Sequence, residues 1–301
     1  MDKSLKWPVE SSHGNALNGF RWQQPGSNIC LDLHGNPLTA KLIVFSDGNH
    51  HMALEACCQA FRENNPEVED IFYATTPPNV ILQSTLQGGL VLGNLHLNIQ
   101  PQVFISPENI LNKLVDAGLM KSHQAFAKSR GNVLLIKKGN PKNIHNIADL
   151  LRDDVRLAMS NPITEAASYS VYKETLLTIA AEQGLDVAAF TQLIDNDSTR
   201  VVFGKSIHHR EIPQIIFSDH ADAAIIYSHL ALRYTRIFPD DFAIIELNSS
   251  ANVCTDYYIG LINDGGKWGQ SFHQFMFSAQ AATLYQEHGL SHYKKTPPEG
   301  G

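Results

Sequence analysis

The sequence is sparing with cysteine. It has four in 301 residues, and none of them forms a C-x-x-C pair. That excludes a zinc ribbon and thioredoxin-type redox chemistry. Cys57 and Cys58 are adjacent, so on a helix their side chains diverge by about 100° and do not bridge each other. No stretch reaches the roughly 18 consecutive apolar residues of a membrane span, and the first 28 residues hold no apolar leader core. The expectation is therefore no membrane insertion and a cytoplasmic location, or a periplasmic or extracellular one if a leader has been removed. Lys and Arg number 23 against 30 Asp and Glu, a net charge of −7. The basic residues do not cluster, which argues against a nucleic-acid partner. G-x-S-x-G, the P-loop and G-x-G-x-x-G are all missing, so the common hydrolase, nucleotide-hydrolysing and dinucleotide-binding chemistries have no anchor. The chain reads as non-enzymatic, without a cofactor.

What is present is ordinary globular composition, 43% hydrophobic and 18% charged, enough for a large core or two domains. "NICLDLHGNP" alternates Leu31 and Leu33 with Asp32 and His34, a strand ended by Gly35-Asn36-Pro37. "KLIVF" at 41–45 is a β-branched run suited to a buried parallel strand. Helical spacing follows in Met52, Ala53, Ala56, Cys57, Ala60 and Phe61. The design repeats. "DIFYATT" leads to Thr76 as an expected N-cap before two prolines, and "QVFIS" leads to Ser106 as an expected cap before Pro107. Alternation of strand and helix through the rest predicts α/β architecture with parallel sheets.

In such sheets ligands bind beyond the carboxyl ends of strands, where helix N-termini offer free N–H groups. Five turns there carry dense polar sequence: Ser46-Asp47-Gly48-Asn49-His50-His51, Ala74-Thr75-Thr76, Ser160 to Glu165, His208-His209-Arg210-Glu211, and Tyr227-Ser228-His229. Capping alone requires polar residues at one such turn. Five exceed that need.

The pieces "VFSDGNHHMAL", "QPQVFISPENILNKLVDAG", "GNVLLIKKG", "MSNPITEAASY" and "ADAAIIYSHLA" occur in an order that resembles the type II periplasmic solute-binding proteins, in particular their molybdate/tungstate-binding branch. The similarity spans about residues 41–290. It implies a two-lobed fold, each lobe a mostly parallel sheet flanked by helices. It also implies a small oxyanion held between the lobes by hydroxyls and main-chain N–H groups. Position by position, it places ligand contacts at Asn49, where the family usually has serine, at Thr75 or Thr76, at Ala166 or Ala167, at the main chain of His209, and at the Tyr227 hydroxyl. Asp47, His50, Glu165, His208 and Glu211 lie beside these positions. A carboxylate beside an oxyanion repels it unless protonated or metal-bound, so the acids are expected mainly to cap helices and point away. The implied partners are a small anion and an ABC-transporter permease, and the protein is expected to be a monomer.

The expected organisation is an N-terminal extension over 1–39, one lobe from 40–127 and 232–290, a second from 128–231, and a disordered tail over 291–301. An alternative reading takes His50, His51, His208, His209 and Glu211 as transition-metal ligands. Adjacent histidines on a helix diverge and neither pair has i,i+4 spacing, so that reading needs one histidine from each turn. A third reading is a cytosolic ligand-sensing regulator on the same scaffold.

Overall fold

The structure is a computed structural model. It describes residues 4–6, 33–92, 95–196, 199–205 and 208–293. In chain order its elements begin with β1 (Leu33–His34), β2 (Leu42–Ser46), a 3-10 turn at Gly48–His50, α1 (His51–Asn64), β3 (Ile71–Thr75) and α2 (Pro78–Leu86). Next come β4 (Leu90–Leu92), β5 (Leu95–Leu97), β6 (Val103–Ser106), α3 (Glu108–Asp116) and β7 (Met120–Lys128). A second group follows: β8 (Asn132–Lys137), β9 (Leu157–Met159), α4 (Ala166–Glu182), α5 (Val187–Asn196), β10 (Val201–Phe203), α6 (His208–Phe217), β11 (Ala223–Tyr227), α7 (Ser228–Ile237) and β12 (Phe242–Glu246). Last are β13 (Asp256–Ile262), α8 (Gly266–Phe275), α9 (Ala279–Glu287) and β14 (Ser291–His292).

These elements form two compact units. One comprises 33–129 and 255–293, the other 4–6 and 130–254. In the first, the strand order is β1-β3-β2-β6-β13-β7-β14. The run β3-β2-β6 is parallel, and every other pairing in this sheet is antiparallel. Alternate side chains serve two cores. Leu42, Val44, Ile71, Tyr73, Val103 and Ile105 face the cluster that includes Phe61, Phe272 and Tyr285 of α1, α8 and α9. Phe45, Phe72, Ala74 and Phe104 face Ile81, Leu82, Leu111 and Leu114 of α2 and α3. A sheet buried on both faces explains the unbroken apolar runs in β2 and β3.

The second unit has the order β10-β9-β11-β8-β12, parallel through β10-β9-β11 and antiparallel at β8 and β12. Both sheets are therefore mixed rather than mostly parallel. The parallel strands are those joined by helices. The antiparallel ones include β7 and β13, which adjoin the points where the chain leaves the first unit and returns to it. The second crossing also falls at 254/255 rather than the expected 231/232, because β12 pairs along its length with β8. Ser291 and His292 of the expected tail form a strand on β7. Residues 29–32 of the expected first strand lie outside the described residues, and its last two residues are β1.

The two crossing segments run side by side. In the first unit Ser129 N donates to Thr255 O, and Thr255 N to Ser129 Oγ, both at 2.8 Å. In the second, Asn132 N donates to Asn252 Oδ1, and Asn252 Nδ2 returns to Asn132 O, both at 2.8 Å.

Candidate ligand-binding site

In the first unit the carboxyl ends of β3, β2 and β6 lie next to one another. Register pairs Ser46 with Thr75 on one side and with Ile105 on the other. Thr75 and Ser46 thus place buried hydroxyls on one face of the sheet and Ser106, one residue beyond Ile105, places another on the opposite face, all at the end where α1, α2 and α3 begin. Neither Thr76 nor Ser106 is the expected cap: the N-cap positions of α2 and α3 are Pro77 and Pro107, without side-chain bonds. Thr76 N donates to Ser46 O, and its hydroxyl reaches only Pro77 O at 3.5 Å. Ser106 Oγ is buried and has no hydrogen-bond partner among the described residues. An unsatisfied buried hydroxyl at a strand end calls for a ligand or water.

Asp47 follows Ser46 and is fully buried. Its Oδ1 accepts from Asn49 N at 3.0 Å, capping the 3-10 turn. Its Oδ2 has no hydrogen-bond partner among the described residues. Burial pushes its pKa up to about 7 against the pull of the Asn49 N–H. Asn49 is half-buried. With its N–H taken by Asp47, the side-chain amide is the group it can offer a ligand.

His50 turns inward. It is fully buried, Nδ1 lies 3.0 Å from the Tyr285 hydroxyl, and Nε2 lies 3.3 Å from Ser46 Oγ. His51 Nδ1 meets Gly48 O at 2.8 Å. The two histidines are engaged with different groups and do not converge, as the metal reading, which takes one histidine from each turn, already requires. Among the described residues no three His, Cys, Asp or Glu side chains gather as a metal-binding group. Tyr285 pairs with His50 across 235 positions of sequence, a contact that no local pattern announces.

In the second unit β9 ends before Ser160 and β11 ends at Tyr227, which pairs with Asn132 at the start of β8. Ser168 Oγ donates to Ser160 Oγ at 2.8 Å. Asn161 Oδ1 accepts from Ile163 N and Thr164 N, which fixes the loop before α4. Glu165 occupies the N-cap position of α4 but makes no side-chain capping bond, so it departs from its expected role. Ala166 and Ala167 follow it, exposed, in the first turn of α4. Glu211 does behave as a structural acid, its Oε2 accepting from Lys205 N at 2.5 Å. His208 and His209 open α6, and their side chains lie outside the described residues. Tyr227 is buried against Tyr172, at 5.2 Å between ring centroids, and against His229, at 5.4 Å. Burial first, then Tyr227, then Glu165 hold the Tyr172 phenol well above its ordinary range. Asn132 Oδ1 is buried and has no hydrogen-bond partner among the described residues.

A cavity of about 450 Å³ lined by Gly118, Leu119, Met120, Lys121, Asn263 and Asp264 lies elsewhere in the first unit. Met120 pairs with Ile262, while Ser106 pairs with Tyr258 at the other end of β13. The cavity is thus at the opposite end of the sheet from the Thr75, Ser46 and Ser106 hydroxyls. The strand ends beside the helix starts, where Ser106 Oγ has no partner among the described residues, are the better candidate site.

Two sheets, each with polar residues at the carboxyl ends of parallel strands, define a two-lobed α/β binding protein of the periplasmic type. Residues 42–291 match the bacterial extracellular solute-binding proteins, and the chain belongs to that family. No curated protein matches it. Solved structures share the fold. The sulfate-binding protein SubI from Mycobacterium tuberculosis H37Rv is 16% identical, with a TM-score of 0.60 over 85% of this chain and 87% of that one. The periplasmic molybdate-binding protein of Azotobacter vinelandii is 14% identical, with a TM-score of 0.55 over 85% and 100%. Iron-bound HitA from Pseudomonas aeruginosa is 13% identical, with a TM-score of 0.57 over 85% and 87%.

Among the described residues no helix is long and apolar enough to cross a membrane. Ser106 and His34 lie near the candidate site without being among the contacts that the resemblance implies. Their signal was their place at or beside strand ends.

Proposed function

We propose that this chain captures a small tetrahedral oxyanion of the molybdate, tungstate or sulfate kind for an ABC-transporter permease, its two units closing over the ligand. The observation that carries the reading is the set of hydroxyls Thr75, Ser46 and Ser106 at the strand ends in front of three helix starts, with no partner for Ser106 Oγ among the described residues. Hydroxyl and N–H donors replace the hydration shell of an anion without a counter-charge, aided by the helix dipoles. Asn49, Ser106 and either Thr75 or Thr76 are the proposed contacts in the first unit. Ala166 or Ala167, the His209 main chain and Tyr227 are those in the second. Glu165 and His208 flank the second group. Burial raises the pKa of Asp47 to about 7, which weakens the repulsion between that one acid and an anion. Binding of sulfate and molybdate by proteins of the same fold supports the ligand class.

The test is titration calorimetry of the full chain with sodium molybdate, sodium tungstate, sodium sulfate and zinc chloride. Saturable one-to-one heat from an oxyanion is expected. Heat from zinc alone would overturn the proposal in favour of the metal reading.

A further inference from the structure

The N-terminal extension contributes a residue beside the proposed anion site. β1 pairs antiparallel with β3, setting Leu33 opposite Ala74 and His34 opposite Tyr73. The His34 ring stacks on the Tyr73 ring, with centroids 4.3 Å apart and an interplanar angle of 5°. It is 7% exposed. From there His34 Nε2 reaches Thr75 Oγ1, the diagonal neighbour on β3, at 3.4 Å. The chain is pinned just beyond this point. Gly35 has φ +80°, and a Cβ there would sit 2.2 Å from Ile71 O. Asn36 N donates to Asp70 Oδ2 at 2.7 Å. The backbone thus fixes where the ring lies, and the stack fixes its plane.

The donor count of a threonine hydroxyl gives this contact a consequence. The group has one proton and two lone pairs. If Thr75 donates to His34, nothing remains for an anion, which only accepts. If His34 carries its proton on Nε2 and donates to Thr75 Oγ1, the single Thr75 proton is left for the ligand. Resting on the oxyanion reading above, we propose that His34 is a positioning residue. Its Nε2–H holds Thr75 as a donor toward the ligand, so that the extension tunes the site for acceptor-only anions.

Two measurements test this on the full chain, with molybdate as probe. The first is a double-mutant cycle. His34→Phe keeps a ring for Tyr73 but has no N–H, and it should weaken molybdate binding about tenfold, as should Thr75→Val. The double variant should be no weaker than Thr75→Val alone, because the two residues act as one donor. His34→Gln restores a side-chain N–H and should recover affinity to within about threefold of the unmodified chain. Fully additive losses, or unchanged affinity in His34→Phe, would overturn the inference while leaving the oxyanion reading standing. Absence of molybdate, tungstate and sulfate binding in the unmodified chain overturns both. The second measurement needs no variant. Nitrogen-15 NMR of the imidazoles in the molybdate-loaded protein should show His34 protonated at Nε2. A tautomer protonated at Nδ1 alone contradicts the proposal.

Discussion

Asp47 Oδ1 lies 3.5 Å from His50 Nε2, and both side chains are fully buried. The pair sits beside the Ser46 hydroxyl, between the end of β2 and α9. It links the end of β2 to the core of the first unit.

Stability should depend on the protonation of Asp47. Burial raises its pKa to about 7 from an ordinary value near 4. Below both values the folded and unfolded chains are equally protonated at this group. Between them the folded chain keeps a proton that the unfolded chain has lost, so stability falls as pH rises. Above about 7 the full cost is present, on the order of 4 kcal/mol. Asp47→Asn retains an acceptor for Asn49 N and carries no charge. Its melting temperature should match the unmodified protein near pH 4 and exceed it increasingly up to pH 8. A difference independent of pH would show that Asp47 does not titrate in this window.

Ser106→Ala separates binding from folding. The hydroxyl is buried with no hydrogen-bond partner among the described residues, so removing it relieves an unsatisfied group and should leave the melting temperature unchanged or slightly higher. Affinity for the oxyanion should fall by roughly tenfold, through loss of one hydrogen bond to a charged acceptor. Calorimetric titration beside a thermal melt measures both. A destabilised variant with unchanged affinity would make Ser106 structural.

The first crossing should not tolerate a side chain at Gly131. Its φ is +80°, and a Cβ there would meet the Asn252 amide at 2.7 to 2.8 Å. That amide is also bonded to the Asn132 main chain. Gly131→Ala therefore adds backbone strain and displaces Asn252, costing roughly 1–3 kcal/mol. Chemical denaturation of the full chain measures the loss. An unchanged midpoint would show that the Asn132–Asn252 bonds reform elsewhere.

The α/β class, the strand–helix order through α3 and the polar turns were legible because hydrophobic period and turn chemistry are local signals. The "KLIVF" run forms β2, and "DIFYATT" contains β3. β7 was not legible: of Met120–Lys128 only Met120, Phe126 and Ala127 are buried, so it shows no clean alternation. The last helical stretch is two helices, α8 and α9, split where Ser278 caps α9 by accepting from Ala281 N at 3.2 Å, a break that the spacing of apolar residues does not show. The mixed sheets and the crossing at 254/255 follow from long-range pairing that periodicity does not encode. Within the candidate site, Asn49 and the threonines are positions that the family resemblance implies, whereas the surroundings of Asp47 and His50 depend on burial. Their partners Tyr285 and, for Thr75, His34 come from distant segments, and no spacing rule reaches that far.

The most direct test of the account is a backbone amide NMR titration of the full chain with molybdate. The account predicts that resonances of Asn49, Thr75, Thr76 and Ser106 shift together with those of Ala166, Ala167, Tyr227 and Ser228, all following one dissociation constant. Shifts confined to one of these groups, or clustered instead around Gly118–Lys121 and Asn263, would contradict it.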